Sequence, residues 1–373
     1  MTNLSDRSGS LIDPSLDSAG AAIARATAAL IVPKALPATS FVLHAPLELM
    51  ARVQLLPLVS PTQRDAAIDR IDRLADEYQA AGDSVSPPPV LEGEPAAEAL
   101  LRALADGDQA LVDVHATAWL ARHGAPGVVG AVGEALVTST AAAGHVPIGL
   151  AQLLCDPGMP TALLRGPPRA VAAAPERRVS WHEVVATEGD ANGLYAALRA
   201  APMLGRPGSD FIHPLMMQVQ QPGVADRLLG PVLADRYDVP AALATVSRVA
   251  AWSMLHDDPE QAPYGWTHAL TMPQAVLSLA GAGVRARTAL AVAGTFALGF
   301  RAAHGTVPLP AHIARVIAPA GVGELASAAS VHHDAHVVKF TAACIRAATY
   351  DTACAGLYLA AAAFLLDWWR DLS

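Results

Sequence analysis

The sequence is poor in cysteine, in aromatic residues and in charge. Its 373 residues include three cysteines, 5% aromatic residues and 16% charged residues. Cys155, Cys344 and Cys354 show no CxxC spacing, so a disulfide-stapled scaffold is excluded. A sparse, odd cysteine count is typical of a reducing compartment. We therefore expect a cytoplasmic protein.

Positive charge is also scarce. The chain has 25 Lys and Arg residues against 34 Asp and Glu residues, which gives a formal net charge of −9 at pH 7. Nucleic-acid backbones are bound by clustered Lys and Arg side chains. The densest basic pair is Arg177 and Arg178. The composition therefore argues against a nucleic-acid partner.

The sequence lacks a targeting or membrane-spanning pattern. Residues 1–20, MTNLSDRSGSLIDPSLDSAG, contain no basic stretch followed by an apolar one, as a secretory signal would. The longest apolar run, Thr288 to Phe300, is shorter than the roughly 18 residues that a membrane span needs. We expect a soluble protein with no membrane partner.

What the chain has instead is apolar residues at helical spacing. It is 53% hydrophobic, and much of that share is alanine, the strongest helix former. Apolar residues recur every three or four positions between Pro61 and Gly82, which predicts a helix there. The fold class we predict is all-α, with a disordered tail over residues 1–20 and one large helical domain over residues 21–373. An alternative division has two lobes joined by a linker over residues 156–180.

Nucleotide-binding signatures are absent. No GxGxxG follows a strand pattern, and no GxxxxGK[ST] or GxSxG occurs. In GAPGVVGAVG, Gly124 to Gly133, glycine recurs at every third position, which favours close helix packing over phosphate binding. An internal flavin or nicotinamide domain is therefore not expected.

Several of the 13 histidines stand at the edges of predicted helices in apolar surroundings. They are His44, His145, His268 and His336. One such histidine is usually a satisfied core residue, but four raise the alternative that they converge on a metal through neutral imidazoles. The remaining candidates are His115, His123, His213, His304 and His312.

Lys339 lies one helical turn after His336, in VHHDAHVVKF. A helix over residues 332–349 would place His332, His336 and Lys339 on one face. A lysine ammonium beside a metal ion would be both desolvated and repelled. Either the side chain reaches solvent, or its neutral amine takes up carbon dioxide and becomes an anionic carbamate. The residues alone leave both alternatives open.

Several segments resemble the questin oxidase-like family, whose members include enzymes that oxidatively open anthraquinone rings. The matching stretches are LHAPLELMARVQLL, GHVPIGLAQLL, WTHALTMPQAVLSL, HDAHVVKFTAACIRAA and YLAAAAF, in the family's order from residue 44 to residue 364. Residues 156–240 match poorly, so the resemblance implies nothing about the pocket that selects the substrate.

One branch of this family holds a mononuclear non-haem iron with four histidines and a carboxylated lysine. The resemblance therefore implies a set of five ligands, namely His44, His145, His268, His336 and Lys339. It further implies Fe(II) as cofactor, O2 as co-substrate and a planar phenolic substrate such as an aromatic polyketide. Some members are described as NADPH-dependent Baeyer–Villiger oxidases, but no nicotinamide motif is visible here. Homo-oligomerisation is left open.

Two further alternatives come from other motifs. HHD, residues 332–334, is similar to part of the HD phosphohydrolase signature, for which Asp351 or Asp367 would serve as the downstream ligand. The second alternative is a helical scaffold protein without catalytic activity. HDDPE, residues 256–260, lacks the spacing of a terpene synthase motif, and we predict a solvated loop there.

Overall fold

The fold is entirely helical in the part of the chain that the structure describes. The computed structural model describes residues 14–155, 161–183, 193–208, 212–234 and 238–371. These ranges contain no β-strand, only the isolated bridges Lys34–Ser84 and Ser139–Arg178. The prediction of an all-α fold is confirmed.

Sixteen α-helices lie within these ranges. The first eight are α1 (Pro14–Leu30), α2 (Ser40–Leu55), α3 (Arg64–Ala80), α4 (Ala97–Asp106), α5 (Gln109–Thr138), α6 (His145–Cys155), α7 (Gly166–Ala172) and α8 (Gly193–Arg199). The others are α9 (Ile212–Gln220), α10 (Val224–Ala234), α11 (Val239–His256), α12 (Thr267–Ser278), α13 (Ala286–His304), α14 (Val322–Val331), α15 (Ala335–Tyr350) and α16 (Ala355–Arg370). Between α11 and α12 lies a π-helical turn, Ala262–Trp266.

The centre of the molecule is built from α12 and α13, with α15 packed against α12. Residues Thr267–Leu277 and Thr288–His304 are all buried. A helix that is apolar all round belongs in a core. The apolar run from Thr288 to Phe300 is therefore a core helix, as its length predicts. Gly294 and Gly299 let Leu229 and Met216 approach this helix closely.

The predicted disordered tail is wrong for residues 14–20. Pro14 begins α1, where its fixed backbone angle favours helix formation. Ala22 and Ala26 of the same helix are fully buried, and α1 packs along α3. Tertiary packing of this alanine face therefore extends the helix into the polar segment. Residues 1–13 lie outside the described residues.

Residues 161–172 are helical and packed, not a linker between lobes. Their arginines bind one buried carboxylate on α5: Arg165 Nη2 lies 2.7 Å and Arg169 Nη1 3.1 Å from Asp113 Oδ2. Leu164 and Val171 are buried in the same hydrophobic cluster as the residues before and after them. The described part of the chain thus has one continuous core, whereas residues 156–160 lie outside it.

Two helical segments, Ser40–Leu58 and Thr352–Arg370, are long and apolar enough to cross a membrane by length and composition alone. The first carries a buried ion pair between Glu48 and Arg52. Both segments contribute to the hydrophobic core. The core helices of soluble proteins can have the same length and apolar composition, so these two segments give only weak support for a membrane location.

Candidate metal centre

Four histidines from four different helices come together near the N-terminal ends of those helices. His44 lies on α2, His145 begins α6, His268 lies on α12 and His336 on α15. The Nε2 atoms of His44 and His336 are 3.1 Å apart, and those of His268 and His145 are 3.4 Å apart. The structure therefore places the four predicted imidazoles in one cluster.

Carbonyl oxygen atoms orient two of these rings from behind. His44 Nδ1 lies 2.7 Å from the Ser40 carbonyl oxygen, and His268 Nδ1 lies 2.5 Å from the Tyr264 carbonyl oxygen. A carbonyl oxygen only accepts hydrogen bonds, so each of these Nδ1 atoms carries the proton and Nε2 keeps its lone pair. Both carbonyls come from four residues earlier in the chain, which the helical or π-helical turn brings under the ring.

His336 lies beside a carboxylate. Its Nδ1 lies 3.3 Å from Asp334 Oδ1. The same oxygen caps α15 by accepting the backbone N–H groups of His336 and Val337, at 2.8 and 3.4 Å. The His336 ring and then these two backbone N–H groups lower the pKa of Asp334 to about 2 despite its burial. Asp334 thus fixes the start of α15 and lies beside the His336 ring.

His145 is positioned by an unusual backbone turn. Ala142, Ala143 and Gly144 have φ angles of 48°, 52° and 74° in succession. The left-handed region costs roughly 1 kcal/mol or more for each residue with a side chain. A Cβ atom at position 144 would also overlap Met272 Cε. The turn directs the first residue of α6 into the cluster, and sequence reasoning missed it.

Gly144→Ala is expected to destabilise the protein by about 1–3 kcal/mol, because it adds both left-handed strain and a clash with Met272. Urea denaturation of the metal-free protein measures the change. Gly130→Ala is the control, since a Cβ atom at that helical position meets no atom within 4 Å. Equal stability of both variants would contradict the strain assigned to the turn.

Lys339 points into the protein interior. Its side chain is 5% exposed, and Nζ has no hydrogen-bond partner among the residues described. The alternative in which this lysine reaches solvent is therefore wrong. Burial lowers the pKa of Lys339 to about 7, so a large fraction of the amine is neutral at neutral pH. A neutral amine is the form that reacts with carbon dioxide.

His332 does not share the face of His336 and Lys339, contrary to the prediction. Helix α15 begins only at Ala335, and His332 ends α14 with an extended backbone, φ −64° and ψ 146°. Its Nδ1 accepts the Asp334 backbone N–H at 3.0 Å. The helix starts later than predicted because Asp334, not His332, caps it.

The imidazoles of the cluster are held in their neutral form. Burial first, then the Lys339 charge, lowers the pKa of His44 to about 3 and that of His145 well below its usual value. The pKa of His268 is also well below normal, through burial and then the charge of His336. All three imidazoles are therefore neutral at neutral pH, which is the form that binds metal ions.

The distances fit one metal ion. Two nitrogen atoms bound about 2.1 Å from an ion lie about 3.0 Å apart at a right angle and about 3.4 Å apart at a tetrahedral angle. The observed separations of 3.1 and 3.4 Å fall at these values. Candidate ligand atoms of His44, His145 and His268 all lie within 4.8 Å of one another. These three histidines could hold a metal ion, with His336 beside them.

A cavity of about 280 Å³ opens onto all four rings. Its walls include the aromatic side chains of Tyr264 and Phe300, and Glu260 also lines it. Tyr264 packs edge-on against His336, with ring centroids 5.0 Å apart, and is 55% exposed. Tyr264 lies in the π-helical turn, a feature that often occurs at functional sites. No local sequence pattern indicated this turn.

Most of the other histidine candidates lie elsewhere. His213 hydrogen-bonds to Thr140 at 2.7 Å, and His123 packs against Trp119. His115 lies on α5, and His312 lies between α13 and α14. His304 lines the cavity without joining the group of potential ligands.

The carboxylates that a phosphohydrolase site would need have other partners. Asp351 binds Arg248 at 2.6 Å and the Tyr358 hydroxyl at 2.6 Å. Asp367 lies 2.9 Å from Arg370 on α16. The structure does not support a metal site built from HHD with either residue.

Comparison of this chain with protein-family models, with curated proteins and with solved structures finds no match.

Proposed function

We propose that the protein is a mononuclear non-haem iron oxygenase that uses O2 to open a ring of an aromatic polyketide or a similar planar phenolic. The observation that carries the proposal is that imidazole Nε2 atoms lie 3.1 and 3.4 Å apart beside a buried lysine whose amine has no hydrogen-bond partner in the described ranges. His44 and His268 carry their proton on Nδ1, so the Nε2 lone pair of each points at the Nε2 atom of its neighbour, and either a metal cation or an Nε2 proton of that neighbour would lie between the two atoms.

In this proposal His44, His145, His268 and His336 hold the ion, and Lys339 supplies an oxygen ligand as its carbamate. The neutral amine forms a bond to the carbon of carbon dioxide and releases one proton, so the product carries one negative charge. That charge offsets the positive charge of the ion, which a bare ammonium would increase. Imidazole and carboxylate-type oxygen ligands suit Fe(II).

The other parts of the site position a substrate. Bound Fe(II) would supply the one-electron chemistry that O2 needs in order to react with a phenolic ring. The aromatic walls formed by Tyr264 and Phe300 suit a planar ring, and the buried rings on the cavity floor exclude water. We assign no nicotinamide coenzyme, since the sequence shows no motif for one. The proposal places the enzyme in the cytoplasm.

Elemental analysis of the freshly purified protein is expected to find about one iron per chain. His268→Ala is expected to lose most of this iron because it removes one imidazole ligand. His213→Ala is the matched control, since His213 lies outside the cluster and binds Thr140 instead. Two metals per chain would favour a hydrolase. The absence of stoichiometric metal, or its retention in His268→Ala, would refute the metal site.

A further inference from the structure

His304, the last residue of α13, lines the same cavity as the imidazole cluster but has a different environment. Its ring lies between two aromatic side chains, with centroids 6.1 Å from Phe300 and 5.9 Å from Trp266. Neither ring nitrogen hydrogen-bonds to another residue in the described ranges, and Nδ1 is buried. Only 7% of the residue is exposed. A buried ring nitrogen without a protein partner requires another partner, which is either an ordered water or a bound ligand.

Gly265 keeps space open beside this ring. A Cβ atom at position 265 would lie 3.1 Å from His304 Cδ2 and 3.3 Å from His304 Nε2. Gly265 belongs to the π-helical turn and also lines the cavity. Any larger residue would crowd the Nε2 edge of the imidazole. The glycine therefore leaves that edge accessible from the cavity.

The protonation state decides what His304 can bind. Burial and then the charge of Arg206 lower the pKa of His304 to about 4, while Asp257 and Asp258 oppose this effect. The ring is therefore neutral at neutral pH, and one of its nitrogens is a hydrogen-bond acceptor. A neutral ring favours a hydroxyl group as its partner over a carboxylate.

We propose that His304 is a specificity residue that accepts a hydrogen bond from a phenolic hydroxyl of a planar aromatic ligand in this cavity. The inference deepens the proposed function because it names the substrate group that the cavity recognises. The ligand ring would lie against Tyr264 and Phe300, which line the cavity, while its hydroxyl donates a hydrogen bond to the His304 imidazole. A site built around a hydroxyl discriminates against the analogue that lacks it, because the buried polar group then stays unpaired.

Binding of 2-naphthol and of naphthalene to the metal-free protein, followed by ligand fluorescence, tests this inference. Wild-type protein is expected to bind 2-naphthol at least 10-fold more tightly than naphthalene. His304→Phe is expected to remove this preference while leaving naphthalene affinity within about 2-fold. His304→Gln, which keeps an acceptor, is expected to retain part of the preference. Gly265→Ala is expected to weaken 2-naphthol binding selectively.

Three outcomes would overturn the inference. The first is an unchanged preference for 2-naphthol in His304→Phe. The second is an equal loss of affinity for both ligands in that variant, and the third is no binding of either ligand to the wild-type protein. Because the assay uses metal-free protein and no turnover, its result is independent of the iron analysis. A protein without iron that still shows the His304-dependent preference would refute the oxygenase but support this binding site.

Discussion

Lys339→Met is expected to stabilise the metal-free protein and at the same time to prevent stoichiometric metal binding. The lysine amine is buried beside four imidazoles with no hydrogen-bond partner in the described structure. Methionine has a similar length and no group that needs a partner. Burying an unpartnered or charged group is unfavourable, so we expect a gain on the order of 3 kcal/mol in the free energy of unfolding.

Lys339→Met is expected to weaken metal binding, although it stabilises the metal-free protein. Methionine cannot form a carbamate, so the site loses its anionic oxygen ligand. We expect metal affinity to fall by at least about 100-fold, with iron content close to zero after dialysis. Urea denaturation of the metal-free forms and elemental analysis of the loaded forms measure the two effects separately. A Lys339→Met variant that keeps one iron per chain would refute the carbamate ligand.

The pH dependence of the metal-free protein provides a second check. The pKa of Lys339 falls from 10.5 in the unfolded chain to about 7 in the folded protein. The unfolded state therefore binds more protons between these values, and stability rises with pH across that window. The slope contributed by this one lysine is at most about 1.4 kcal/mol per pH unit. We expect Lys339→Met to lack this contribution.

Lys34→Met is the matched control because Lys34 is also buried but has partners. Its ammonium donates to the Gln79 carbonyl oxygen at 2.9 Å and lies 5.4 Å from the centre of the Tyr78 ring. Removing an ammonium that is satisfied should lower stability by about 1–3 kcal/mol. The two lysines are therefore expected to respond with opposite signs. The same sign for both would mean that Lys339 has partners after all.

The helices and the histidine cluster were largely predictable from the sequence. Apolar spacing predicts helices correctly because the buried face of a helix repeats every three to four residues. Each clustered histidine alone is an ordinary core residue, and only the recurrence of four of them in apolar segments indicated a metal site. The resemblance then selected His44, His145, His268, His336 and Lys339, and the structure places the histidines together with the lysine one turn from His336.

The details that the sequence did not reveal depend on long-range contacts. Nothing local in TAAAGH, residues 140–145, indicates three successive left-handed residues, because packing against Met272 and Ile212 accompanies that turn. His304 was one histidine among several until the fold placed it beside Gly265. HDDPE was predicted to be a solvated loop because it lacks the spacing of a metal-binding motif, and this prediction is wrong for Asp257, which is buried. Asp257 forms a buried ion pair with Arg301, which is 44 residues away in the sequence.

Asp257→Ala is expected to destabilise the protein by about 3–5 kcal/mol, because it leaves the buried guanidinium of Arg301 without its counter-charge. The carboxylate side chain is 0% exposed and that of Arg301 is 4% exposed. Asp257 Oδ1 also accepts the backbone N–H groups of Thr306 and Val307, at 2.7 and 2.8 Å. The substitution thus removes an ion pair and three further hydrogen bonds, the third from the Thr306 hydroxyl at 3.3 Å. Urea denaturation measures the loss.

Two comparisons make this prediction specific. Arg285→Ala breaks an ion pair with Glu134, but the Arg285 side chain is 76% exposed, so we expect a loss below about 1 kcal/mol. The double variant Asp257→Ala, Arg301→Met is expected to be more stable than Asp257→Ala alone, because the uncompensated charge is gone. If the double variant were instead as unstable as the sum of the single variants, burial of an unpaired charge would not be the cause.

The ion pair between Asp257 and Arg301 also helps to position the His304 ring in the cavity. Asp257 and Arg301 join the end of α11 to the last turn of α13, which carries His304, and Arg301 also donates to the Val307 carbonyl oxygen at 2.7 Å. Loss of this connection should loosen the backbone that positions the His304 ring. Asp257→Ala, assayed under conditions where it is still folded, is therefore expected to bind naphthalene normally but to lose part of its preference for 2-naphthol. An unchanged preference would show that the packing of His304 between Phe300 and Trp266 positions the ring without the ion pair.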